Sequence, residues 1–255
     1  MSTDMRWLLL PVLLLAGCDA TQPRAANAQH EDDKPRFPKA DRPVATIVSA
    51  RWSTEEARDR LNEAEAVMNL AGIASGMTVA DIGAGEGYYT IRLAQRVGPD
   101  GRVLAEDIIP EIRDALATRV ARERLDNVSV RLGEPDDAKL PENSFDRVLM
   151  VHMYHEIAEP YAFLWNLRPS LRPGGRVVVV DAERRTQNHG TPPALLRCEF
   201  AAVGYRQVAL QRMPSAGGYI AMFTPEGARP RPEDIKPCRL PGPTPTPSPT
   251  GNHRG

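Results

Sequence analysis

Three glycines at alternate positions, Gly83, Gly85 and Gly87, follow an apolar stretch that ends at Ile82. Glycines spaced in this way let the backbone turn sharply out of a strand, and they let a ligand approach main-chain N–H groups without interference from a Cβ. The spacing suits a nucleotide cofactor. It differs from the dinucleotide fingerprint G-x-G-x-x-G, because Tyr88 stands where the third glycine of that fingerprint would be. The loop therefore argues against a dinucleotide-dependent dehydrogenase.

A carboxylate follows the next predicted strand. Asp107 lies 24 residues beyond Gly83, where its two oxygens can accept hydrogen bonds from both hydroxyls of a ribose. Ile108 beside it can cover one face of a base. The adjacent Glu106 leaves open which of the two carboxylates points inward.

A cluster of titratable side chains follows the fourth predicted strand: His152, Tyr154, His155 and Glu156. Two imidazoles, a phenol and a carboxylate in so short a segment predict acid-base catalysis. An equal alternative is that Tyr154 and His155 shape a pocket or cap the following helix. A metal site at His152, His155 and Glu156 is possible by ligand type, but neither a nearby cysteine nor an H-E-x-x-H motif supports it, and we expect no metal.

Strands alternate with helices on both sides of these motifs. A helix is predicted over residues 54–72, with Ser53 and Glu56 as a capping box. Apolar runs predict strands over residues 78–82, 101–107, 128–132, 145–151 and 176–180, with a helix over 110–125 and another over 192–203. Residues 205–211 and 219–224 predict a closing hairpin. This pattern indicates an α/β fold with a doubly wound, mostly parallel sheet of seven strands.

The motifs of residues 54–224 resemble those of the class I S-adenosylmethionine-dependent methyltransferases of the small-molecule type. The loop resembles motif I of that family, and Asp107 matches the acid of motif II. The closing hairpin and the turn at 171–175 are also typical of the family. The resemblance implies S-adenosyl-L-methionine as cofactor, held by Asp81, Gly83, Ala84, Gly85, Gly87, Tyr88, Asp107 and Ile108.

The resemblance also implies roles for other residues. Residues 133–146 are similar to the adenine-recognition segment of the family, and because Pro135 has no N–H to donate, Asp136 and Asp137 both stand as candidates. Asp81 would bind the ammonium of the methionine part. Residues 151–157 resemble the corresponding segment of the quinone-biosynthesis and arsenite enzymes, without the cysteines that the arsenite enzymes need.

The amino terminus resembles a bacterial lipoprotein signal peptide. An apolar run of about ten residues, too short to span a bilayer that needs roughly 20, ends in Leu15-Ala16-Gly17-Cys18. The resemblance implies cleavage before Cys18, lipidation of that cysteine, and a place in the cell envelope. Asp19 resembles a signal for retention at the inner membrane. We therefore expect a signal peptide over residues 1–17, a disordered tether over 18–50, one domain over 51–224 and a proline-rich disordered tail over 225–255.

Composition narrows the function further. A net charge of −1 among 255 residues offers no basic stripe for a nucleic acid. With Cys18 lipidated, Cys198 and Cys238 remain, either bridged or both free. The predicted function is methyl transfer to a small-molecule acceptor by a membrane-anchored lipoprotein. The alternative is a lipoprotein that keeps the fold as a ligand-binding or interaction module without turnover.

Overall fold

The computed structural model of this protein describes residues 35–47 and 54–239. The predicted signal peptide, Cys18 and the end of the proline-rich tail lie outside the described residues. Among the helices that are described, none combines the length and the apolar character needed to cross a membrane.

Seven strands form one sheet, in the order β3-β2-β1-β4-β5-β7-β6. The strands are β1 (Thr78–Ile82), β2 (Arg102–Asp107), β3 (Val128–Leu132), β4 (Phe145–Val151), β5 (Leu171–Asp181), β6 (Tyr205–Met213) and β7 (Gly218–Pro225). The first five strands are parallel to one another, and β7 runs antiparallel to both β5 and β6. The predicted doubly wound sheet with a closing antiparallel hairpin is confirmed.

Within the described ranges, six α-helices cover the two faces of the sheet: α1 (Glu55–Arg60), α2 (Glu63–Leu70), α3 (Tyr88–Val97), α4 (Pro110–Arg122), α5 (Pro160–Leu167) and α6 (Pro193–Ala202). The single helix predicted over 54–72 is wrong, because Asn62 adopts a left-handed conformation with φ of 53° and separates α1 from α2. The residue that caps α1 also differs from the predicted Ser53: the Thr54 side chain accepts a hydrogen bond from the Ala57 N–H.

The central strands are buried on both faces, as their continuous apolar sequences predict. Val177 and Val179 of β5 point into one core cluster, which also contains Phe200 and Phe223. Val178 and Val180 point into a second cluster on the opposite face. With both faces covered by helices, the exposed edge formed by the carboxyl ends of the parallel strands is the place for a ligand.

Residues 35–47 were expected to be part of a disordered tether, and the structure contradicts this for the segment it describes. The Ala45 N–H donates to the His155 carbonyl at 3.1 Å, and Thr186 Oγ1 donates to the Pro43 carbonyl at 2.6 Å. Arg42 is buried and pairs with Glu199, with 2.8 Å between Nε and Oε1. A polar, proline-containing sequence gives no local sign of such long-range contacts.

Residues 225–239 were expected to belong to a disordered tail, and this boundary is also wrong. Trp165 Nε1 donates to the Pro230 carbonyl at 2.8 Å, and the Ile235 side chain is buried in the core. Cys238 forms a disulfide with Cys198 of α6 across 40 residues of sequence. Of the two alternatives that the sequence left open for these cysteines, the structure has the bridge.

We expect this disulfide to stabilise the fold by about 2–4 kcal/mol, because it restricts a loop of 40 residues in the unfolded chain. Urea denaturation of the wild type with and without dithiothreitol measures the difference. A Cys198→Ser/Cys238→Ser variant should show the lower stability in both conditions. An unfolding midpoint of the wild type that dithiothreitol does not change would contradict the prediction.

Candidate active site

A cavity of about 280 Å³ lies at the carboxyl ends of β1, β2 and β4. The loops that follow these strands and the turn after β3 form most of its wall, and Ile47 and α1 close one side. Its main lining residues are Gly83, Ala84, Gly85, Tyr88, Glu106, Asp107, Ile108, Pro135, His152, Met153, Glu156, Ile157 and Phe163, with Glu55 and Arg58 from α1. Six of the ten predicted cofactor residues therefore meet in one cavity.

The glycine loop adopts backbone conformations that favour glycine. Gly83 and Gly85 have φ of +64° and +56°, in the left-handed region. A Cβ on Gly83 would lie 3.0 Å from Met153 Cγ, so the loop and Met153 pack closely. A Cβ on Gly85 would meet nothing within 4 Å, because this glycine faces open space. The loop thus provides a cradle that a bound molecule can fill. Gly87, although predicted to bind the cofactor, lies outside the lining and is the N-cap residue of α3, with φ of 90°.

Asp107 connects the loop to the end of β2. Its Oδ2 accepts from the Gly85 N–H and its Oδ1 from the Ile109 N–H, both at 3.0 Å. Each carboxylate oxygen can accept a second hydrogen bond. The carboxylate is thus fixed by the backbone while it keeps acceptor capacity toward the cavity, which is the geometry that binding of two ribose hydroxyls requires.

Glu106 also reaches the cavity, beside Asp107. The side chain is 1% exposed, and its Oε1 has no hydrogen-bond partner among the described residues. Burial, and next the neighbouring Asp107 carboxylate, raise the pKa of Glu106 to about 8. A Cβ on Gly133 would collide with this carboxyl group, so glycine at that position makes room for it. The raised pKa favours the neutral form of Glu106 near pH 7, in which the carboxyl group is a hydrogen-bond donor at the wall of the cavity.

We expect Glu106→Gln to change how stability depends on pH. Because the pKa of Glu106 is higher in the folded chain than in the unfolded one, its contribution is present below about pH 4.5 and is lost as the pH rises through about 8. The variant should be more stable than the wild type at pH 9 and should lose this advantage toward pH 5. Urea denaturation at several pH values checks this, and parallel pH profiles of the two proteins would contradict it.

A chain of charged groups links α1 and α2 to the loop after β4. Arg58 Nη2 lies 2.5 Å from Glu63 Oε1, and the Arg58 guanidinium lies 3.8 Å from the centre of the Tyr88 ring. The same Glu63 oxygen lies 3.6 Å from His152 Nε2. Burial opposes the ionisation of Glu63, but His152 and Arg58 outweigh it and lower its pKa to about 2. The carboxylate thus holds the cavity-lining Arg58 and His152 in place.

The four predicted catalytic residues separate into two pairs. His152 and Glu156 line the cavity. Tyr154 is fully buried, and its hydroxyl donates to Glu199 Oε2 at 2.8 Å. His155 is also buried, with Nδ1 at 3.0 Å from Asp181 Oδ1, and it is absent from the cavity wall. Tyr154 is therefore bonded to α6 and lies outside the cavity wall, so it neither reaches the site nor lines the pocket, whereas His152 and Glu156 stay catalytic candidates.

Three predicted cofactor residues lie elsewhere. Asp81 is buried and accepts from Thr90 Oγ1 at 2.6 Å, and burial raises its pKa to about 6. Asp137 accepts from the Lys139 N–H at 2.8 Å, and the Asp136 carbonyl accepts from Asn166 Nδ2 at 2.9 Å. None of the three acids is part of the cavity lining: Asp81 is bonded to Thr90 of α3, and the turn after β3 presents Glu134 and Pro135 in place of Asp136 and Asp137.

The sequence did not predict several lining residues. Arg58 and Ile47 come from segments before β1, and no local pattern indicates that they return to the site. Met153 lies between two predicted catalytic residues, where an apolar side chain gives no chemical signal. Glu106 carried a signal, since a glutamate in a buried strand position needs an explanation.

Comparisons with known proteins agree with this architecture. The family model described as "Methyltransferase domain" matches residues 79–175. The arsenite methyltransferase of Halobacterium salinarum is 35% identical over 112 residues, which is 44% of this chain and 29% of that protein. The ubiquinone/menaquinone biosynthesis C-methyltransferase of Hahella chejuensis is 30% identical over 125 residues, covering 47% of this chain and 48% of the relative. The aligned part thus spans half or less of these curated relatives.

Among solved structures, a SAM-dependent methyltransferase from Aquifex aeolicus superposes with a TM-score of 0.55 at 25% identity. The alignment covers 67% of this chain and 97% of that structure. The curated relatives are thus named as methyltransferases, and the solved structure as a SAM-dependent one. The chain therefore has the class I methyltransferase fold, with residues 79–175 matching the methyltransferase-domain family.

Proposed function

We propose that this protein transfers a methyl group from S-adenosylmethionine to a small-molecule acceptor. The observation that carries the proposal is Asp107, fixed by the Gly85 and Ile109 amides at the wall of the cavity. Asp107 would hold the ribose hydroxyls, and the open space at Gly85 would admit the cofactor close to the backbone. Arg58 brings a positive charge to the same cavity and would attract the carboxylate of the methionine part.

The chemistry needs little covalent help from the protein. When bound, S-adenosylmethionine supplies an electrophilic methyl group on a sulfonium sulfur. Met153, Ile157 and Phe163 line the cavity and would exclude water. His152 lines the cavity with Nε2 beside the Glu63 carboxylate, so its imidazole would take up the proton released by an acceptor while the carboxylate stabilises the resulting imidazolium. His152 has φ of 56°, an uncommon conformation for a residue with a side chain and one that is frequent at functional sites.

The relatives narrow the acceptor class. Their names include enzymes that methylate arsenite and enzymes of quinone biosynthesis. The chain has three cysteines, of which Cys198 and Cys238 are bonded to each other, so thiol capture of arsenite is disfavoured. A hydroxyl, amine or carbon acid on an apolar ring system suits the cavity better, since its lining is mainly apolar on the side of Met153.

Formation of S-adenosylhomocysteine tests the proposal. The protein is incubated with S-adenosylmethionine and pools of quinols, phenols and amines, and the product is measured by mass spectrometry. We expect turnover with at least one pool and its loss in His152→Asn, with the affinity for S-adenosylmethionine unchanged. Binding of the cofactor without turnover in any pool would favour the alternative, a non-catalytic binding module.

We also propose that the protein acts from the cell envelope as a lipoprotein, on the inner membrane and facing outward. Leu15-Ala16-Gly17-Cys18 supports the lipid anchor, and the disulfide between Cys198 and Cys238 suits an oxidising compartment. Metabolic labelling with an alkyne fatty acid should label the wild type but not Cys18→Ser. Equal labelling of both proteins, or none of either, would contradict this proposal.

A further inference from the structure

A second group of polar side chains lies beside the cavity, where β4 and β5 end. It consists of His155 and Glu156, in the turn after β4, and His189, in the turn after β5. One ligand atom from each residue lies within 4.8 Å of the others. The two imidazole rings are perpendicular, at an interplanar angle of 87°, with their centroids 5.4 Å apart. Glu156 also lines the cavity, so this group adjoins the candidate active site.

A buried carboxylate, that of Asp181, orients the His155 ring in the way that is usual for a metal-binding histidine. His155 Nδ1 lies 3.0 and 3.1 Å from the two oxygens of the Asp181 carboxylate. Asp181 is fully buried and also accepts from Thr191 Oγ1 at 2.7 Å, so the carboxylate is fixed. Metal-binding histidines commonly donate their other ring N–H to a carboxylate in this manner, which sets the tautomer and the ring orientation.

The other nitrogen of His155 lacks a protein partner. Nε2 is buried and makes no hydrogen bond to any residue that the structure describes. A buried polar atom without a partner is rare and costs free energy, so we infer that a ligand binds to it. With Nδ1 donating to Asp181, Nε2 carries the lone pair and is ready to coordinate a cation.

The geometry is close to that of a bound metal. Two imidazoles that bind an ion at about 2.1 Å and at tetrahedral angles have ring centroids about 5.3 Å apart. The observed separation of 5.4 Å matches this value. Ligand atoms of such a site lie about 3.4 Å from one another, so separations of up to 4.8 Å must shorten by up to about 1.4 Å around the ion. His189 and Glu156 are only half-buried, and side-chain rotation at these two residues can supply the contraction.

We propose that His155, Glu156 and His189 form a binding site for a first-row divalent cation, with Zn²⁺ as its probe. Two imidazoles and one carboxylate suit zinc and its neighbours better than Mg²⁺ or Ca²⁺, which prefer oxygen ligands. Three protein ligands leave a coordination position open, as in catalytic rather than structural zinc sites. Because Glu156 faces the cavity, an oxygen or nitrogen of a bound small molecule would occupy that position.

A competition titration of the full-length protein with Zn²⁺ and a chromophoric chelator tests the site. We expect one equivalent to bind to the wild type, and His189→Asn and Glu156→Gln to weaken its affinity by at least 100-fold. His189→Asn keeps a residue type that tolerates the left-handed conformation at this position, where φ is 54°. Circular dichroism melting confirms that both variants fold.

Two variants serve as controls. Glu159→Gln removes the same charge three residues further on, at an exposed position, and should bind Zn²⁺ like the wild type. His152→Asn should also bind it, because His152 belongs to the cavity and not to this group. With Co²⁺ as a second probe, visible absorption bands should appear in the wild type and be absent in His189→Asn.

Two results would overturn the proposal: no binding of Zn²⁺ by the wild type, or binding that His189→Asn and Glu156→Gln leave unchanged. The second result would place the ion on other histidines, such as His30 or His253. The titration contains no S-adenosylmethionine, so its outcome is independent of the proposed methyl transfer.

Discussion

Asp107→Ala should weaken the binding of S-adenosylmethionine by about 100-fold or more. Hydrogen bonds to a charged group contribute about 1.5–3 kcal/mol each, and the variant removes the acceptor of two ribose hydroxyls. It also releases the Gly85 and Ile109 amides, which Asp107 now holds at 3.0 Å. Isothermal titration calorimetry of wild type and variant measures the change in Kd.

Asp100→Ala is the matched control for this experiment. Asp100 is an exposed aspartate just before the opposite end of the same strand, far from the cavity. We expect the Kd of Asp100→Ala for S-adenosylmethionine to equal that of the wild type. The Kd of Asp107→Asn should lie between those of the wild type and Asp107→Ala, because an amide keeps one acceptor oxygen but loses the charge. A wild-type affinity in Asp107→Ala would show that the cofactor binds elsewhere.

Arg42→Ala should lower the free energy of unfolding by about 3–5 kcal/mol. The Arg42 and Glu199 side chains are both buried, with Nε 2.8 Å from Oε1, and removal of one partner leaves the other charge buried without compensation. Tyr154 donates to the second oxygen of Glu199, and Arg42 Nη2 donates to the Ile157 carbonyl. The loss would therefore also loosen the turn that carries Glu156.

An exposed ion pair provides the comparison. Arg206 and Glu226 are 2.8 Å apart but more than half exposed, and Arg206→Ala should change stability by less than about 1 kcal/mol. The double variant Arg42→Met/Glu199→Met should recover much of the lost stability, because it removes both buried charges. Urea denaturation measures all three. A loss in Arg42→Ala no greater than that in Arg206→Ala would mean that residues 35–47 do not pack as described.

The sequence predicted the sheet well, because its central strands are short, apolar and bounded by turn residues. The bounds of β1, β3 and β4 agree with the predicted ones to the residue. Helix α5, Pro160–Leu167, was not predicted, because it is apolar on nearly every side and therefore lacks a helical period. The division between α1 and α2 depends on the left-handed backbone conformation of Asn62. An asparagine in the sequence is only a weak sign of that conformation.

For the candidate site, the predicted residues that line the cavity are those in the glycine loop and those that directly follow a strand. Gly83, Gly85 and Asp107 are among them. Prediction failed where tertiary contacts decide the direction of a side chain: Tyr154 and His155 point to Glu199 and Asp181, which follow them by 45 and 26 residues. The contacts of residues 35–47 and 225–239 are also long-range, and local composition cannot indicate them.

Calorimetric titration of the wild-type protein with S-adenosylmethionine tests the central claim most directly. We predict that one molecule binds per chain with a micromolar Kd, and that adenosine competes because the ribose is held by Asp107. Absence of heat and of thermal stabilisation at millimolar S-adenosylmethionine would contradict the account.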